Sequence, residues 1–262
     1  MILKISWLGI LVLIICLIPV ILYSLPGKKI NVKIVVNLEL LSLSERLLES
    51  VKREEPFLTT EKVIADFDTK GLKEGLPDDA AKKAFWINIY NAWYQILAVR
   101  EQMKRPEIFT KKAILIAGIK FSLDDMEHGI LRRYRWKYSM GYFPAFFPGE
   151  LIKQLAVSTI DYRIHFALNC GAKSCPPILF YSYENIENQL DLATRSFLLS
   201  ETEIDDIKKE VRVSKILDWF RGDFSGTKGI QHIVGGVFLK DISGYKIKFK
   251  PYDWAEKLHY FS

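Results

Sequence analysis

The sequence predicts an α+β fold: a single helix-rich domain with a small sheet, behind an N-terminal transmembrane helix. Apolar residues recur at helical spacing in several segments, whereas residues 245–250 alternate apolar and polar side chains as a half-buried strand does. Residues 5–25 form an uncharged, mainly apolar run. A hydrophobic fraction of 49% with 13% aromatic residues is typical of a packed globular chain and excludes a disordered one.

The N-terminal segment has the length of a membrane span. Residues 5–25 carry no charge, and a helix needs about 20 apolar residues to cross the hydrocarbon of a bilayer. A cleaved signal peptide would have a shorter apolar core, followed by small residues at a cleavage site. We therefore expect a single-pass membrane protein that contacts the membrane through residues 5–25. The balance of positive charge on the two sides leaves the orientation of the span open.

The net charge of +6 is spread along the chain. No groove-reading or base-stacking motif accompanies the basic residues, so the charge predicts a solvated surface that favours anionic lipid. We predict neither a nucleic-acid partner nor a cofactor.

Two short-range patterns predict the first helices of the domain. Apolar residues recur at helical spacing from residue 38, and this helix should end near Pro56. Thr59 or Thr60 is the expected cap of a second, short helix that runs through residue 67.

The longest predicted helix covers residues 80–103 and opens at Asp78 or Asp79. Apolar and aromatic residues occupy nearly all of its faces, so the helix should be largely buried. Asn88 and Asn91 are neighbours on one face. Because a buried amide without a partner costs about 1–3 kcal/mol, the two amides should either hold the backbone of a neighbouring loop or line a polar site.

A further helix start is marked by Ser122 and Asp125, whose spacing is that of a capping box. Glu127 and His128 follow in its second turn, with Arg132 one turn below His128. A lone helical histidine is more often a structural hydrogen-bonding group than a catalyst.

Both cysteines outside the N-terminal apolar run lie in one loop. Residues 164–168, which include His165, are predicted to form a buried strand that opens into a loop carrying Cys170 and Cys175. Reactive side chains are often held in this way, on a loop fixed by a rigid element. The other predicted elements are a strand at 113–117, a helix at 183–201, a strand at 211–213, a short helix at 215–224, a turn-rich region at 226–236 and the strand at 245–250.

Five separated strings together resemble the domain-of-unknown-function family numbered 547. They cover residues 85–92, 122–132, 163–176, 218–224 and 252–254. The resemblance implies one domain at residues 58–258, preceded by an anchor or signal segment at 1–27 and by a linker and first helix at 28–57. Bacterial members often carry N-terminal export or anchor signals, which implies that the soluble domain is extracytoplasmic. The family implies no activity.

The first functional hypothesis is an exported, membrane-anchored binding or interaction module. Outside the cytoplasm, Cys170 and Cys175 could form a disulfide that closes a small loop. By the loop-length model this bond would stabilise the fold by about 2 kcal/mol and would remove both thiols from chemistry. The partner would be a small molecule or a peptide, and its binding residues are drawn from the polar side chains of the strings: Asn88, Asn91, Arg132 and Asn169.

The second hypothesis is a cysteine-nucleophile hydrolase or acyltransferase. Its nucleophile would be Cys175 or Cys170, and its base His128 or His165. Asp253, Glu127 or Asn88 would orient the base, and such a set would suit a papain- or transglutaminase-like arrangement. The third hypothesis is a zinc site built from His128, His165, Glu127 and a cysteine, although none of them has the paired spacing of a zinc motif. We assign no metal ligand on this basis.

Overall fold

A computed structural model describes residues 35–261 of the chain. The predicted anchor at residues 5–25 lies outside the described residues. Among residues 35–261, no helix is both long and apolar enough to cross a membrane.

The fold is built around one buried helix, α4, in agreement with the sequence. In chain order the helices are α1 (Leu38–Lys52), α2 (Leu58–Ala65), α3 (Thr69–Gly75), α4 (Asp79–Val99), α5 (Glu107–Thr110), a π-helix (Asp125–Leu131), α6 (Glu150–Leu155), a 3₁₀-helix (Tyr162–Phe166), α7 (Ile186–Glu201), α8 (Ile216–Trp219) and α9 (Gly226–Phe238). The strands are β1 (Ile114–Ile116), β2 (Ile119–Phe121), β3 (Glu203–Asp205), β4 (Glu210–Val213) and β5 (Lys246–Phe249). The α+β prediction is confirmed.

The start of α4 is fixed by a side-chain cap. Asp78 precedes the helix in an extended conformation, and its Oδ1 accepts the Ala81 N–H at 2.8 Å. From Ala84 to Ala98 every side chain is buried, and α1 packs along this helix with its own apolar face. The segment at residues 28–57, which the resemblance places before the domain, therefore contributes to the core through α1.

The strands form two small sheets. β1 and β2 are an antiparallel pair with Ile114 opposite Phe121. The second sheet has the order β3-β4-β5, in which β3 and β4 are antiparallel and β4 and β5 are parallel, with Val211 opposite Ile247. The strand predictions at 113–117, 211–213 and 245–250 are confirmed.

Two apolar cores lie side by side. The first surrounds α4 and includes Trp86 and Ile164, and the second joins the three-stranded sheet to α9 and includes Phe166 and Phe224. Ile164 and Phe166 belong to the same 3₁₀-helix, so this short element contributes to both cores.

The prediction of a buried strand at residues 164–168 is wrong. The segment is the 3₁₀-helix Tyr162–Phe166, and the Asp161 side chain caps it by accepting the Arg163 N–H at 3.1 Å. A short apolar run has the same composition in a buried strand and in a buried helical turn, so periodicity alone does not separate them. The cap at Asp161 is the local signal that favours the helical turn.

The turn-rich region predicted at residues 226–236 is also wrong, because it forms α9. Ile230 and Val234 lie one helical turn apart and are buried in the second core. A Cβ added to Gly229 would lie 1.8 Å from the Phe224 carbonyl oxygen, so the glycine is there for close packing inside a helix. The expected threonine cap of α2 is wrong as well, since α2 begins at Leu58 after Phe57 and has no side-chain cap.

Candidate functional site

Residues from distant parts of the chain line one cavity of about 220 Å³. Its polar and sulfur-bearing wall contains both cysteines of the predicted loop and three of the predicted polar residues, Glu127, His128 and His165. The lining residues are Tyr90, Phe109, Asp124, Glu127, His128, His165, Leu168, Cys170, Cys175, Ile216, Trp219, Phe220, Tyr252 and Trp254. The structure thus brings together Glu127, His128, His165, Cys170 and Cys175, which the sequence analysis singled out.

Cys170 and Cys175 form a disulfide with their Cα atoms 6.3 Å apart. The Cys170 N–H donates to Cys175 Sγ at 3.0 Å. The Tyr252 hydroxyl lies 3.1 Å from Cys175 Sγ and 3.3 Å from Cys170 Sγ, and because bonded sulfurs carry no proton, the hydroxyl is the donor. The disulfide of the first hypothesis is therefore present, and neither thiol is free in this state.

Two asparagines hold the loop in place. Asn91, on α4, donates to the Ala167 carbonyl at 2.9 Å and accepts the Asn169 N–H at 2.9 Å. The Asn169 side chain donates to the Pro176 carbonyl at 2.7 Å and accepts the Gly171 N–H at 2.8 Å. Both side chains are buried, and the amide oxygen and nitrogen of each hydrogen-bond backbone groups. The two asparagines therefore fix the loop and do not line the cavity.

Asn88 has the same role one turn earlier on α4. Its side chain donates to the Tyr181 carbonyl at 2.7 Å and accepts the Tyr181 N–H at 3.0 Å. The sequence left two roles open for the α4 amides, holding the backbone of a neighbouring loop or lining a polar site. Their hydrogen bonds are those of the first role.

Gly171 meets a steric requirement of the loop. It has φ +66°, and a Cβ at this position would lie 2.4 Å from the Tyr94 ring. A larger residue would be strained by its backbone conformation and would also clash.

Glu127 and His128 project from the π-helix, whose start is fixed by the predicted capping box. Ser122 N–H donates to Asp125 Oδ2 at 2.9 Å, and Asp125 N–H donates to Ser122 Oγ at 3.1 Å. Tyr90, on α4, donates its hydroxyl to Glu127 Oε2 at 3.2 Å. Burial raises the pKa of Glu127, against the opposing charge of Arg132.

His128 is held as a neutral imidazole. Arg132 Nη1 donates to His128 Nδ1 at 2.7 Å, so the proton of the neutral ring is on Nε2. Burial first, and then the charge of Arg132, lower the pKa of His128 to about 3. The ring is therefore uncharged at neutral pH.

Arg132 and His165 both contact Asp223. This residue lies in the string at residues 218–224 but was not predicted as a site residue. Arg132 Nε lies 2.6 Å and His165 Nε2 lies 2.9 Å from the same oxygen, Asp223 Oδ2. The Arg132 and Asp223 side chains are fully buried. Burial would raise the pKa of Asp223, but the hydrogen bonds and charges of His165 and Arg132 outweigh it and lower this pKa.

Phe220 packs over both partners of Asp223, the Arg132 guanidinium and the His165 ring. It stacks on the His165 ring at 3.9 Å between centroids, and the Arg132 guanidinium lies 4.5 Å from the Phe220 centroid. Burial lowers the pKa of His165, against the attraction of Asp223. The arrangement is a buried ion pair with a neutral imidazole attached to the carboxylate.

Asp253 does not line the cavity. Its side chain is 49% exposed, and its Oδ1 accepts the Ala255 N–H at 2.9 Å. Its backbone N–H donates to Ser174 Oγ, in the loop that carries the two cysteines, at 2.9 Å. Asp253 thus fixes the outer side of the loop, and Asp223 is the carboxylate that hydrogen-bonds His165.

Aromatic residues of the C-terminal part also line the cavity, and none of them was predicted as a site residue. The Trp219, Tyr252 and Trp254 rings are neighbours, with centroids 4.7 Å, 4.6 Å and 5.4 Å apart. Two of these rings belong to the quoted string at residues 252–254, which was the available signal. In the part of the chain that the structure describes, no three His, Cys, Asp or Glu side chains are placed to hold a metal ion.

Comparison with known proteins gives one match. Residues 74–198 match the model of the family described as "Protein of unknown function, DUF547", which confirms the resemblance stated from the sequence strings. The match includes α4, the π-helix and the Cys loop and ends before Trp219, Asp223 and Tyr252. No curated protein and no solved structure matches the chain, and the papain- or transglutaminase-like arrangement stays a prediction.

Proposed function

We propose that the domain is a binding module whose cavity takes a small molecule or a peptide side chain with an aromatic or apolar group. The observation that carries the proposal is the joint wall of Trp219, Tyr252 and Trp254, which faces the same cavity as Glu127 and the disulfide. Ligand sites in proteins are typically apolar clefts with a few placed polar groups. The rings would stack on the ligand, and Glu127 would supply a polar contact.

The proposal is tested with a fixed panel of aromatic amino-acid amides and short aromatic peptides, using tryptophan fluorescence and thermal shift. Trp219→Ala should weaken binding at least about tenfold, since a buried aromatic contact contributes on the order of 1.5–3 kcal/mol. Trp136→Ala is the matched control, because Trp136 is 45% exposed and does not line the cavity. No binding by any member of the panel, or equal loss in the two variants, would reject the proposal.

A second candidate is the cysteine-nucleophile hydrolase or acyltransferase of the sequence analysis. The favouring observation is that His165, paired with Asp223, lines the same cavity as both sulfurs. The nucleophile would be the thiolate of Cys175 or Cys170 after reduction of the disulfide. Reduced protein should then hydrolyse a panel of thioesters and activated esters, and Cys175→Ala, Cys170→Ala and His165→Gln should identify nucleophile and base. Equal turnover by oxidised and reduced protein would exclude this chemistry.

We also propose that the protein is exported and tethered to the membrane by residues 5–25. The support is the uncharged run itself and the disulfide, because such bonds persist mainly in oxidising compartments. The full chain should stay in the membrane fraction through a carbonate wash, and a variant without residues 1–27 should not. Release of the full chain by the wash would reject the anchor.

A further inference from the structure

We propose that the Cys170–Cys175 disulfide is exchange-active, so that the domain acts as a dithiol–disulfide oxidoreductase toward a thiol-bearing small molecule or peptide that enters the cavity. This activity goes beyond ligand binding, and of the three rings Trp219, Tyr252 and Trp254 it uses only the Tyr252 hydroxyl.

The loop keeps its shape without the disulfide. Its backbone is pinned to the C-terminal segment, since Lys173 N–H donates to the Ala255 carbonyl at 2.8 Å and Lys257 N–H donates to the Gly171 carbonyl at 2.9 Å. Inside the loop, Cys175 N–H donates to the Ala172 carbonyl at 3.0 Å, and the Asn169 amide spans the loop from within. Reduction therefore leaves the two sulfurs adjacent, ready to be oxidised again.

The two sulfurs differ in their access to a thiol. Cys175 is 5% exposed, whereas Cys170 is only partly buried, and both line the cavity. An incoming thiolate must reach one sulfur along the S–S axis. Cys170 is the sulfur that it meets, and Cys175 is the leaving group.

The leaving sulfur is equipped to carry negative charge. The Cys170 N–H and the Tyr252 hydroxyl point at Cys175 Sγ from 3.0 Å and 3.1 Å. Burial raises the pKa of Tyr252, so its hydroxyl remains a protonated donor. Hydrogen bonds to an ionised sulfur are stronger than those to a neutral one, and the two donors therefore stabilise the products of the first exchange step.

The reaction balances with two equivalents of a thiol, RSH. The first thiolate forms an RS–Sγ bond to Cys170 while the Sγ–Sγ bond breaks, and the electron pair leaves on Cys175. A second thiolate attacks the RS sulfur and releases RSSR and the Cys170 thiolate. The two protons lost by the thiols end on the two cysteines, so the disulfide is reduced by two electrons and the two thiols are oxidised.

The test uses the full chain and reduced glutathione as the probe. Oxidised protein is incubated with glutathione under native conditions, thiols are blocked with N-ethylmaleimide at intervals, and intact mass counts the blocked cysteines. We expect complete reduction with one glutathione disulfide formed per protein and an unchanged circular dichroism spectrum. Structural disulfides of secreted proteins resist glutathione, so reduction that needs a denaturant would overturn the proposal.

Three variants locate the reacting sulfur and the donor. In Cys175→Ala, glutathione disulfide should modify Cys170 at least about tenfold faster than it modifies Cys175 in Cys170→Ala. Tyr252→Phe keeps the ring and removes the donor, and it should slow reduction about tenfold. Tyr183→Phe is the control, because the Tyr183 hydroxyl bonds Asp78 outside the cavity.

Equal rates in Tyr252→Phe and Tyr183→Phe, or faster modification of Cys175, would contradict the assigned roles even if an alanine variant misfolds. Ligand binding through Trp219 is measured without thiols, so the two proposals fail separately.

Discussion

Asp161→Asn should destabilise the fold in a pH-dependent way, because Asp161 is the centre of an ion-pair cluster that joins three helices. Its carboxylate lies 2.8 Å from Lys83 Nζ, on α4, and 2.7 Å from Arg163 Nη2, on the 3₁₀-helix. Lys83 also contacts Glu187, on α7, at 2.6 Å. The Lys83, Asp161 and Arg163 side chains are only 7%, 15% and 16% exposed, so solvent screens the cluster weakly.

The magnitude follows from the pKa of Asp161. Burial alone would raise this pKa, but the hydrogen bonds and charges of Arg163 and Lys83 outweigh it and lower it from 3.8 to about 2. At about 1.4 kcal/mol per pH unit of difference between the folded and unfolded states, the ionised carboxylate stabilises the fold by about 2 kcal/mol. Because the pKa is lowered, this stabilisation is complete above about pH 4 and is lost as the pH falls through 2.

Urea denaturation of wild type and Asp161→Asn at pH 7, 4 and 2.5 measures the effect. The variant should lose about 2 kcal/mol of unfolding free energy at pH 7 and much less at pH 2.5. Asparagine keeps a side-chain oxygen for the cap at Arg163 N–H, so the loss reports the charge.

The matched control is Asp66→Asn, which removes an exposed partner of Lys62, with side chains 62% and 76% exposed. Its cost should stay below about 1 kcal/mol. A loss in Asp161→Asn that is the same at all three pH values, or no larger than that of the control, would refute the reasoning.

The pKa of His128 is lowered from 6.5 to about 3, so unfolding takes up a proton at pH values between these two. The wild type should therefore lose up to about 1.4 kcal/mol of unfolding free energy per pH unit as the pH falls from 6.5 to 3. His128→Gln should flatten this slope in urea titrations. Arg132→Met should lower the free energy of unfolding by about 3–5 kcal/mol, because Asp223 is left as an unpaired buried charge. A loss of unfolding free energy under 1 kcal/mol in urea denaturation would contradict the buried pair. Gly171→Ala should destabilise by about 2 kcal/mol or more, given its φ of +66° and the adjacent ring, whereas Gly236→Ala on α9 meets no atom within 4 Å and should stabilise by roughly 0.5–1 kcal/mol. Calorimetry of these two glycine variants should show melting temperatures shifted in opposite directions.

The parts of the fold that depend on local signals could be predicted from the sequence. The Asp78 cap, the Ser122–Asp125 capping box and the alternation at β5 each involve residues within a few positions of each other. The 3₁₀-helix and α9 could not be recognised, because a five-residue apolar run and a glycine-rich run are each compatible with several conformations. The 3₁₀-helix packs into both cores and α9 into the second, and these cores are built from residues far apart in the chain.

The residues of the site could also be predicted only in part from the sequence. Residue type was enough to select Cys170, Cys175, His128 and His165, which share one cavity. The partner of His165 is Asp223, 58 positions further along the chain, and no spacing rule connects two residues at that distance. Asp253 has the same side-chain chemistry as Asp223, but it lies on the outer side of the loop.

The position of the site follows from the meeting of the two cores. Ile164 is packed in the first core and Phe166 in the second, which leaves His165 between them on the same short helix. Arg132 directly follows the π-helix, whose Ile130 and Leu131 belong to the first core, and Asp223 precedes Phe224 of the second. The fully buried Arg132–Asp223 pair therefore joins the two cores directly beneath the cavity. Because such a pair is costly to break from one side, the same contact that carries His165 should also hold the two cores together at the site.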